Sequence, residues 1–147
     1  MNSGTSKLVI AVEYLETAAI LWMYETNLFS AMHLAAAAEE ISGKACRIEQ
    51  KKAYFDKLRE KVTRTLLALR IEHTESQIKN AAYSAKNSIK HMDSRNDAQV
   101  KIDARQEAAD FIFSAYCNFR TLGLETSLSS TVKAVVEANS VYVETDT

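Results

Sequence analysis

The chain has no proline and only three glycines in 147 residues, so the two residues that most often interrupt helices are nearly missing. It has two cysteines, Cys46 and Cys117, far apart and without ligand-type neighbours. They read as buried thiols of a reducing compartment rather than as a metal site. No long hydrophobic run is present. The longest one near the start, residues 17–24, is closed by Glu16 and Glu25 and is far too short to cross a bilayer. The N-terminus lacks the basic region, apolar stretch and small-residue cleavage site of a signal peptide. A cytoplasmic protein with no membrane partner is expected. An excess of positive charge is missing too: 18 basic and 19 acidic residues leave a net charge of −1. That removes a global nucleic-acid signal and leaves only a local patch. Finally, there is no Gly-rich phosphate loop, no Cys or His metal cluster and no nucleophile elbow, which removes most enzyme classes.

What the chain has instead is Ala, Glu, Lys and Leu in abundance, the composition of a nearly all-helical protein. Its length suits one domain with a substantial core. The pattern predicts an all-α, antiparallel up-and-down bundle of four to five helices with a core over about 6–123, followed by a C-terminal helical segment over 124–147.

The first helix is expected over about 6–24, with Leu8, Val12, Leu15, Ala19 and Trp22 on its main stripe. Ile10, Tyr14 and Leu21 fall off that stripe and suggest a second contact surface. The second, about 28–42, is apolar nearly all round and should be the most buried, with Gly43 as its C-cap. His33, Glu39 and Glu40 on it are of metal-ligand type. A di-metal carboxylate bundle needs further Glu and Glu-x-x-His pairs on other helices, so a polar helix edge is expected and no metal or other cofactor. The third helix, about 50–72, carries Phe55, Leu58, Val62, Leu66 and Leu69 as a core stripe; its remaining surface is dense in Lys and Arg with acids interleaved. That mixture is ordinarily a solvated face. Thr74 and Gln77 form a capping-box pair ahead of the fourth helix. A polar surface loop is expected from Asp93 to Ile102. A fifth helix follows over about 104–122, capped by Asp103 with Gln106 and stopped by Gly123. A last amphipathic segment spans 127–139, through Leu128, Val132, Val135 and Val136.

The fourth helix, through residues 78–92, has two stripes. Ile78, Ala82, Ala85, Ile89 and Met92 form one, and Asn80, Ser84, Asn87 and His91 form the other, wholly polar. At about 100° per residue the polar stripe points away from the apolar one, so the helix has one face for its own core and one for something else. Lys86, Asn87, Lys90 and His91 crowd onto the last turns of that second face, and Arg95 follows in the polar run.

At Lys86-Asn87-Ser88-Ile89-Lys90-His91 the chain resembles the HEPN superfamily of helical bundles. Members carry, on a late helix, an Arg, a polar residue that is often Asn, and a His after four to six intervening positions. Asn87 matches the polar position and His91 the spacing; Lys86 stands where the family has Arg. The resemblance covers about residues 8–122 and extends to the second and fifth helices, which look like an uncharacterised bacterial branch. It implies a homodimer whose motifs face one another across a cleft. In active members it also implies metal-independent RNA cleavage by attack of the 2′-hydroxyl on the adjacent phosphate, leaving a cyclic phosphate.

The expected roles follow the chemistry. His91 can exchange a proton at neutral pH, Lys86 can stabilise phosphorane charge, and Asn87 can orient His91 or hold a phosphate oxygen. Lys90 and Arg95 are candidate RNA contacts. A Lys offers a point charge where an Arg offers a planar fork. The expected function is therefore a homodimeric RNA- or partner-binding module with a weak or degenerate ribonuclease site. The alternative is an active ribonuclease of the toxin or RNA-processing kind, restrained by an antitoxin-like partner. A basic last turn is also what a helix C-terminus selects by itself, since cations complement its dipole.

Overall fold

A computed structural model describes residues 3–88 and 98–139, with the backbone alone for 82–88. The described residues form six α-helices, one short 3-10 turn and no strand: α1 (Lys7–Met23), α2 (Leu28–Ile48), α3 (Tyr54–Ala68), α4 (Glu75–Ser88), α5 (Ala104–Thr121), the 3-10 turn Glu125–Ser127 and α6 (Ser130–Ala138). The all-α bundle that composition and periodicity predict is the architecture found.

The core lies where α2 packs on α5 and on α1, the two most extensive helix pairs. Alanines make that possible. Ala31, Ala35, Ala36 and Ala38 of α2 are completely buried, as are Ala11, Ala18 and Ala19 of α1 and Ala108 and Ala115 of α5. Small side chains let the helix backbones approach, and Leu15, Met32, Phe111, Ile112 and Phe119 fill the volume between them. Each of these larger side chains is worth roughly 1.5–3 kcal/mol of transfer from water. Tyr14 and Leu21, off the main stripe of α1, pack against this same core. α6 belongs to it as well: Leu128, Val132, Val135 and Val136 are buried in the cluster, with α6 lying on α1 and α5. Ser129 caps α6 by accepting from the Val132 N–H, while the Ser129 N–H donates to Glu16 of α1. At the other end of the bundle, the Trp22 indole donates to the Arg105 carbonyl, and the Arg105 guanidinium lies 4.5 Å over the Trp22 ring and 2.9 Å from Glu25.

Three expectations need correction. Gly43 does not end α2; it is buried inside it, and the helix runs on to Ile48. A Cβ there would sit at ordinary contact distance, 3.5 Å, from the Asn118 amide nitrogen of α5. α3 is shorter than expected and contains no buried residue. Of its predicted core stripe only Phe55 packs against the core, while Leu58 and Val62 are more than a third exposed and Leu69 is 64% exposed.

Four helices end in the same way. Glu25, Gln50, Arg70 and Gly123 each follow their helix with positive φ, between 52° and 73°. The N–H groups at and after each turn back to the last carbonyls, as in Leu124 to Phe119 and Gly123 to Arg120. These are Schellman motifs, and only one uses glycine.

Candidate functional site

The loop after α2 and the first turn of α3 are fixed by side chains rather than by apolar burial. Asn118 of α5 is completely buried. Its amide nitrogen donates to the Ser42 hydroxyl at 3.1 Å and to the Glu39 carbonyl at 3.4 Å, and its carbonyl accepts the Tyr54 N–H at 2.8 Å. One side chain thus ties α2 to α5 and satisfies a backbone donor at the start of α3 that no helical carbonyl reaches. The Cys46 thiol donates to the main-chain carbonyl of Asn118 at 3.5 Å, and burial pushes that thiol above its ordinary range. Tyr54 and Phe55 then pack edgewise on Phe113 and at a tilt on Phe111, with ring centres 5.3 and 6.2 Å apart.

One turn later Asp56 gathers the charges. Arg47 of α2 grips it with two nitrogens at 3.1 Å, Arg59 lies at 3.4 Å, and the Ala53 N–H donates to it at 3.0 Å. Burial raises the carboxyl's pKa, but the hydrogen bonds from Arg47 and Ala53 and the charges of Arg47 and Arg59 outweigh it and hold the group below the usual carboxylate range. At the far end of the hairpin, Thr74 and Gln77 bond reciprocally, the Thr74 N–H to Gln77 Oε1 at 2.8 Å and the Gln77 N–H to Thr74 Oγ1 at 3.2 Å. That is the capping box read from the sequence.

Between α2, α3 and α4 lies a groove of about 1050 Å³. Phe55, Leu58, Val62 and Leu66 of α3 face Ile71 and Ile78 across it, and Glu40, Lys44, Arg47, Arg59 and Lys79 stand on its rim. Lys44 pairs with Glu40 at 3.2 Å. This groove is what the amphipathic stripe of α3 serves. The stripe is visible in the sequence, but periodicity records only that a face is apolar and not what covers it.

The residues singled out from the sequence fall as follows. Lys86 and Asn87 are in α4, which is described as far as Ser88. Lys90, His91, Arg95 and the first half of the predicted 93–102 loop lie outside the described residues. Glu39 and Glu40 are separated by the turn of α2: Glu39 is buried beside Asn118 and Gly43, while Glu40 is on the groove with Lys44. His33 is half-buried further back along the helix. Among the described residues no group of three or more His, Cys, Asp or Glu is placed to hold a metal ion. No described helix is long and apolar enough to cross a membrane. Asn118 was missed by the sequence reading, though it has a signal: a lone amide at helical spacing from Phe111 and Ala115 on an otherwise apolar face. No protein-family model matches the chain, and neither does any curated protein or solved structure.

Proposed function

We propose that the protein is a HEPN-like, homodimeric module that binds RNA or a partner protein and carries a weak or degenerate ribonuclease site at Lys86, Asn87 and His91. What carries the reading is the motif itself, Lys86-Asn87 followed by His91 at the family's spacing. The all-helical bundle supports it, with Lys86 and Asn87 in the fourth helix. A Lys at the Arg position leaves the charge but loses the bidentate grip on phosphate, which is why binding ranks above turnover. The two free thiols suit a reducing, cytoplasmic setting.

The test is RNA cleavage by the purified protein in EDTA, wild type beside His91→Ala, read as cyclic-phosphate ends. Binding without cleavage, weakened by His91→Ala or Lys86→Ala, is the expected result. Cleavage that persists in EDTA and vanishes in His91→Ala would make the protein an active ribonuclease. A wild type that neither binds nor cleaves RNA and stays monomeric at micromolar concentration would overturn the reading.

A further inference from the structure

We draw no further inference here: the strongest candidate, the apolar groove between α2, α3 and α4 with Leu58 and Val62 on its wall, carries nothing because the cations and carboxylates that line it are nearly balanced and largely ion-paired, and nothing in the structure shows what covers it.

Discussion

Helices α5 and α3 are 18 and 15 residues long, yet α5 buries Phe111, Ile112, Ala115, Asn118 and Phe119 among others, and α3 buries nothing. α5 is held by packing, with side chains from α1, α2 and α6 around it. α3 is held at its N-terminal end, by the Asn118 amide, the Arg47–Asp56 ion pair and two aromatic contacts, and beyond Phe55 its apolar face opens onto the groove. One region of the molecule thus owes its form to excluded water and the other to a few directed bonds. The second is where local opening costs least.

That contrast is open to direct attack. The largest effect should come from Phe111→Ala, which empties the centre of the core and should cost about 3–5 kcal/mol in urea unfolding; Leu58→Ala on α3, lining the groove, should cost under ~1 kcal/mol. Comparable losses at the two positions would show that α3 is covered in the free protein.

Asn118→Ala comes next. It takes the acceptor from the part-buried Tyr54 N–H and one of the partners from the buried Ser42 hydroxyl, which keeps its bond to the Glu39 carbonyl; the cost is about 1–3 kcal/mol, and hydrogen exchange should show α3 losing protection before α1, α2 and α5. Uniform loss across the molecule would mean that the hairpin is no separate unit.

The smallest effect is that of pH on the Arg47–Asp56 ion pair. Because the folded carboxyl titrates below its unfolded value of about 3.8, its contribution is complete above that value and disappears as pH falls through the folded one. Arg47 is 43% exposed, so solvent screening limits the contribution to about 1 kcal/mol or less. Asp56→Asn should lower stability at neutral pH and flatten the acid limb below about pH 4. An unchanged acid limb would remove Asp56 as its cause.

The same division explains what could be read in advance. α1 and α5 were legible almost to the residue because apolar periodicity and the Asp103 cap mark them, and the Asp103 side chain does accept the Gln106 N–H. α2 was recognised as the buried helix from its alanine run, but its end was misplaced. Glycine is the usual stop signal, but Gly43 is buried in mid-helix here, while the real stop is at Gln50, which carries no such mark. In α3 the stripe was found and its burial was wrongly inferred, since nothing in one helix says how far its neighbour will stand from it. Of the proposed site, Lys86 and Asn87 are in the helix read from the periodicity, and the rest lies outside the described residues. The groove escaped notice because it belongs to three helices at once.

The left-handed residues Glu25, Gln50 and Arg70 have a consequence of their own. A side chain in that conformation is disfavoured by roughly 1 kcal/mol or more, so none of the three would choose it in a free peptide. The lengths of α2 and α3, whose ends the sequence does not mark, are therefore properties of the folded protein rather than of their own segments. Either helix, cut loose, would run past Gln50 or Arg70, and that punctuation of the chain is supplied by its tertiary structure.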